Sequence, residues 1–186
     1  MGRRYNSVMD DLLIPVGSDD HSRGPETAAV TLLEYGDYEC PYCGRAFPIL
    51  KQLRETLGDE LRIVYRHFPQ NNVHPHASVA AQAAEAAGAQ GKFWPMHDLL
   101  FEHQDELADV MKYAIKLELE LYRFEADLSS ERFADKIRFD HEGGVRNGVR
   151  KTPTFFINGK LYNGPLEYEA LLREIKTASE IAHRSR

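Results

Sequence analysis

The chain has 186 residues, a formal net charge of −6 and 42% hydrophobic residues. That is enough apolar material for one ordinary domain, or a small domain with an insertion, to fold without disulfide staples. No Lys/Arg run supplies a phosphate-tracking stripe, and no apolar run approaches the roughly 18 residues of a membrane helix, so neither nucleic-acid binding nor membrane insertion is expected.

Residues 1–26 read as a polar N-terminal segment punctuated by Gly17, Gly24 and Pro25, with Ile14–Val16 as a short candidate edge strand. The basic pair Arg3-Arg4 is not followed by the apolar stretch of a secretory leader, so the chain reads as cytoplasmic. Ala28–Tyr35 is rich in β-branched and apolar residues and predicts a buried strand. Phe47, Leu50, Leu53 and Leu57 then recur at helical spacing, with Pro48 inside as a kink and Gly58-Asp59 as the stop. Leu61–Phe68 is a second strand, so strand, helix and strand form a βαβ unit with parallel strands.

A long helical region follows. The alanine-rich run from His76, the stripe of Phe93, Trp94, Met96 and Leu100, and the set Leu107, Val110, Met111, Ala114 and Leu117 all carry helical periodicity. A further helix is expected after Ser129 or Ser130 as its cap, with Gly143-Gly144 allowing a bend or a close approach. The pattern returns to β around Asn158-Gly159, a strong hairpin signal, and ends in an amphipathic helix from about Leu166 to Ala182. The order β-α-β, helical block, β-β-α assigns residues 27–68 and 149–186 to one α/β core and 69–148 to a helical insertion.

Both cysteines, Cys40 and Cys43, stand in Cys-Pro-Tyr-Cys at the predicted strand-to-helix junction. The first would sit near the helix N-cap, where unpaired N–H groups and the helix dipole favour a thiolate. A thiol so placed falls from about 8.5 towards roughly 3.5–7.5. Cys43, one turn further in, would be more shielded. One sulfur attacks and the other resolves, which is what dithiol exchange requires. A metal role needs a second half-site; there is no other cysteine pair, and His97 and His103, at an allowed spacing, lie more than fifty residues away. A structural disulfide closing so short a loop would remove little chain entropy.

The stretches "VTLLEYGDYECPYCGRAFPIL" and "GVRKTPTFFINGKLYNGP", with the helical run between them, resemble the DsbA-like branch of the thioredoxin superfamily. The resemblance implies a thioredoxin fold with an inserted helical subdomain. It makes Cys40 the nucleophile, Cys43 the resolving thiol and Glu34 a buried acid that exchanges a proton with Cys43. Thr152-Pro153 becomes a cis-proline loop that, with Pro41 and Tyr42, meets an extended substrate. The Pro-Tyr pair is similar to that of glutaredoxins, which implies an intermediate redox poise. Two positions depart from the pattern: Lys151 stands where relatives usually carry Gly, and Glu118 replaces a helix-ending Gly.

Other residues have plainer readings. His74 and His76 flank Pro75 in a turn or cap, and His67, His97 and His103 serve packing or hydrogen bonding. The Phe93-Trp94 stripe is core, with Trp94 also a candidate wall of the substrate groove. Asp37 and Glu39 oppose a thiolate at Cys40. The expected function is thiol–disulfide exchange with protein or small thiol substrates and a redox recycling partner. The protein would act as a monomer without metal or organic cofactor, with glutathione a possible small partner. The competing readings are a glutathione-dependent transferase or isomerase on the same scaffold and a zinc-binding module.

Overall fold

The computed structural model describes residues 11–184. Its five-stranded sheet has the order β1-β3-β2-β4-β5. The strands are β1 (His21–Arg23), β2 (Val30–Gly36), β3 (Leu61–His67), β4 (Thr154–Ile157) and β5 (Lys160–Leu161). β2 and β3 run parallel, joined by helix α1 (Pro41–Leu57), as the βαβ pattern requires. The other pairings are antiparallel. Asn158 and Gly159 carry the positive φ values, 46° and 80°, that a tight β4–β5 turn demands.

Strand alternation divides the core. Val30 and Leu32 of β2, with Leu61 and Ile63 of β3, face Ala46, Leu50 and Leu53 of α1 and Leu171 and Ile175 of α7 (Tyr168–Arg184). Leu33, Tyr35, Val64 and Phe156 face the other way, against Phe68 and Val149. Glu34 therefore belongs by register to the face that α1 covers, which is why a carboxylate at this position is buried.

Between β3 and β4 lie α2 (Ala77–Gly88), α3 (Phe93–Glu102), α4 (Met111–Lys116), α5 (Leu121–Ser129) and α6 (Ala134–Arg146). The alanines of α2 let its neighbours approach closely, and its buried face packs with Met96, Leu100 and Phe124. Gly143 and Gly144 sit inside α6, where Gly144 lies directly on the Phe68 and Tyr35 rings.

Several expectations need correction. Ile14–Val16 is not a strand: Pro15 has no N–H to give a ladder, and the Ile14 and Pro15 carbonyls accept instead from the Arg66 guanidinium. The edge strand is His21–Arg23, which falls within the segment read as irregular. Ser129 and Ser130 do not cap α6: Ser130 Oγ donates back to the Ala126 carbonyl at the end of α5, and α6 begins after Phe133. The helix expected over Asp105–Leu117 is reduced to a single 3₁₀ turn and the short α4. It stops because Glu118 takes a left-handed conformation, φ 51°, at the position where the resemblance called for Gly.

Candidate active site

The β2–α1 turn places the cysteines. Cys40 is the N-cap of α1 with extended backbone, Pro41 occupies the first helical position, and the Cys40 carbonyl accepts the first helical bond from Gly44 N–H. Cys43 is one turn in. Both thiols are buried and no disulfide joins them in this structure. Pro41 and Tyr42 are exposed beside them.

The two thiols are electrostatically unlike. Cys40 is lowered to about 5, first by a hydrogen bond from the Cys43 thiol. Burial opposes this, while the Thr152 hydroxyl and the backbone N–H groups of Tyr42 and Cys43 add to it. Gln70 Nε2 donates to Thr152 Oγ1 at 2.7 Å, which leaves the hydroxyl proton free for the sulfur. In its neutral form Cys40 Sγ instead donates to the Thr152 carbonyl at 3.4 Å. Cys43 is pushed well above its ordinary value by burial, with the Cys40 sulfur and the Glu34 charge adding to the effect.

Glu34 is raised to about 8 by burial, and then by the charge of Cys40. Its Oε1 has no hydrogen-bond partner. A crevice of about 20 Å³, room for one water, reaches Glu34 past Arg23, Trp94 and Asp98. It shares no lining residue with the groove over Cys40.

That groove, about 780 Å³, is lined by Cys40, Pro41, Tyr42, Gln70, Thr152 and Pro153 among others. The Thr152–Pro153 peptide bond is cis. Sequence positions 112 residues apart thus meet at the sulfur. Lys151 is exposed on the groove wall. Trp94 is not part of it: the indole N–H donates to the Ser22 carbonyl, and Arg23 lies over the ring.

Asp37 and Glu39 are not turned on the thiol. Asp37 accepts from the N–H groups of Glu39 and Gln70 and pairs with His74 Nδ1 at 2.7 Å; Glu39 pairs with His76. His74 and His76 thus hold the turn that borders the site. His97 is bonded to Tyr38 in the core, and among the described residues no group of three or more His, Cys, Asp or Glu is arranged to hold a metal.

Sequence reasoning missed Gln70 and Gln104. Gln104 Nε2 donates to the Tyr38 and Cys40 carbonyls at 2.8 and 2.9 Å, tying the helical insertion to the first turn of α1. Its side chain lies where a Cβ on Gly44 would be, so the Gly directly after Cys43 was the available signal.

A family model described as Thioredoxin matches residues 17–177. The chain belongs to the thioredoxin family. Its fold is that of DsbA-like proteins. It superposes on BdbD of Bacillus subtilis with a TM-score of 0.77 at 21% identity, covering 87% of this chain and 94% of that one. For Wolbachia pipientis alpha-DsbA1 the TM-score is 0.80 at 20% identity, covering 94% and 97%. A thioredoxin-like oxidoreductase from Silicibacter pomeroyi gives 0.73 at 25%, covering 90% and 94%. Among curated relatives, the Na(+)/H(+) antiporter NhaA 1 of Salinispora arenicola is 50% identical over 171 residues, 90% of this chain. The chain spans only 26% of that relative's length, so the antiporter name describes a much larger protein. No helix among the described residues is long and apolar enough to cross a membrane.

Proposed function

We propose that this thioredoxin-family protein is a thiol–disulfide oxidoreductase that works through a mixed disulfide on Cys40. The observation that carries this reading is a low-pKa thiol at a helix N-terminus one turn from a buried, high-pKa partner. In the reductive direction, Cys40 thiolate attacks one sulfur of a substrate disulfide. A Cys40–substrate S–S bond forms and the other substrate sulfur leaves as a thiolate. Cys43 then gives its proton to Glu34 and attacks Cys40 Sγ. This forms the Cys40–Cys43 disulfide and releases the second substrate thiolate, so two electrons pass from protein to substrate. The reverse sequence oxidises a substrate dithiol. The crevice gives Glu34 a route for its proton while substrate fills the groove. In this reading the Thr152 backbone meets an extended substrate segment, with Pro41, Tyr42 and Pro153, which line the same groove, around it.

The charge balance favours the direction that donates the disulfide. Lowering Cys40 from about 9 to about 5 stabilises the dithiol form at pH 7 by about 2.7 kcal/mol. For a two-electron couple that is about 60 mV towards an oxidising potential. Equilibration with glutathione tests this; a potential no higher than that of thioredoxin, about −270 mV, contradicts it.

Protein thiols and disulfides are the proposed substrates, with a separate recycling partner and no metal or organic cofactor. The chain is proposed to act as a monomer in the cytoplasm, testable by sedimentation and cell fractionation. Cys40→Ser is expected to abolish exchange on a disulfide-bonded model protein, and unchanged exchange would remove the reading. Full activity after Cys43→Ala would favour a glutathione-dependent transferase instead, since that chemistry needs one thiol.

A further inference from the structure

The chain as a whole is acidic, with 29 Asp and Glu against 23 Lys and Arg. The groove over Cys40 departs from this average: no Asp or Glu lines it, whereas Arg150 and Lys151 do. Both are exposed, and neither makes an ion pair among the described residues. Arg45 stacks its guanidinium 4.3 Å from the centre of the ring of Tyr42, a residue that lines the same groove. The acids closest in sequence, Asp37 and Glu39, are engaged by His74, His76 and backbone N–H groups. Long basic side chains without partners around a groove raise the local concentration of anions and favour segments that supply carboxylates.

Resting on the exchange reading above, we propose that this groove selects cysteines set in acidic protein segments. Substrate Asp or Glu side chains flanking the cysteine pair with Arg150 and Lys151 while the substrate sulfur meets Cys40. Two solvent-exposed pairs of ordinary strength multiply to roughly 5- to 10-fold in rate constant and weaken with salt.

The test uses three short peptides with one cysteine each, carried as the same chromogenic mixed disulfide and differing only in flanking residues: Asp/Glu, Ser or Lys/Arg. The second-order rate constant with reduced protein is measured at low salt and at 0.5 M salt. The expected order is acidic, neutral, basic, with about 10-fold between the extremes at low salt and little spread at high salt. The double variant Arg150→Glu/Lys151→Glu is expected to invert the order. Arg150→Gln/Lys151→Gln, a milder change, is expected to flatten it. Equal rates for acidic and basic peptides in the unaltered protein overturn the proposal and leave the exchange reading standing. No reaction with any peptide removes both. Oxidised glutathione, which carries its own carboxylates, is run beside them. If the Gln variant loses a salt-sensitive glutathione rate while keeping its peptide order, the cations serve the small disulfide and the protein-segment assignment is wrong.

Discussion

Glu34→Gln separates the proton carrier from the rest of the site with almost no change in shape. In the folded chain the carboxyl titrates at about 8; in the unfolded chain it returns to about 4.5. A carboxyl whose folded pKa is raised binds its proton more tightly in the native state. Its cost to stability is therefore absent below about pH 4.5, grows as the pH rises, and levels off above about pH 8. At pH 7 the difference spans about 2.5 units, or about 3 kcal/mol at 1.36 kcal/mol per unit. Gln carries no such penalty, and the unpartnered Oε1 of Glu34 already bears the cost of a buried polar atom without a bond. Reduced Glu34→Gln should then match the parent near pH 4 and exceed it by about 3 kcal/mol at pH 7, roughly 10 °C in Tm for a chain of this size. Thermal melts of the reduced proteins across pH 4–8.5 provide the assay. The same variant should slow resolution of a mixed disulfide about 10²-fold by removing the base for Cys43, while initial attack by Cys40 stays within a few-fold. A stability gain equal at pH 4 and pH 8, or resolution as fast as in the parent, would refute the placement of the proton on Glu34.

Other changes probe separate parts of the site. Iodoacetamide should label one thiol per reduced chain with a midpoint near pH 5, and Cys43 should stay unlabelled up to pH 9; a single midpoint near 8.5 would remove the low-pKa assignment. Gly44→Ala should gain about 1 kcal/mol from helix propensity yet lose the two Gln104 hydrogen bonds, for a net loss of about 1–2 kcal/mol in denaturant melts. In a Gln104→Ala background the same change should turn stabilising, and an unaltered loss there would show that Gln104 is not the obstacle. Glu118→Gly should stabilise by about 1 kcal/mol, because Gly accepts φ 51° without strain. A destabilised Gly variant would point to a contact of the Glu118 side chain that outweighs its backbone.

The sheet and its flanking helices were legible because their signals are local. The α1 period, the Asn158-Gly159 turn and the Cys40–Pro41 start of α1 each carry a pattern short enough to read directly. The edge strand was not, because β1 is three polar residues long and exists only by pairing with β3. Arg66, ion-paired with Asp20, takes the Ile14 and Pro15 carbonyls that a strand there would need for its ladder. In the site, the cysteines and Glu34 could be named from spacing and resemblance. Gln70 could not, and Gln104 only through the hint of a Gly at position 44: each acts through one side-chain amide delivered from a segment distant in sequence, and a glutamine in a polar stretch has no periodicity to reveal it. Asp37 and Glu39 were misjudged for the same reason. Their charges were visible in the sequence, but His74 and His76, which engage them, arrive from more than thirty residues away.

The apolar cluster that includes Cys43 has a kinetic consequence. Its members include Met96, Phe101 and Leu107, contributed by the helical insertion rather than the sheet. The dry surroundings that keep Cys43 protonated are thus built largely by residues far from the Cys-Pro-Tyr-Cys motif. Two proteins identical from β2 through α1 but different in α3 would clear the same mixed disulfide at different rates, because the resolving thiol must give up its proton in surroundings that α3 helps to set. The insertion acts as a timer on the second half of the exchange.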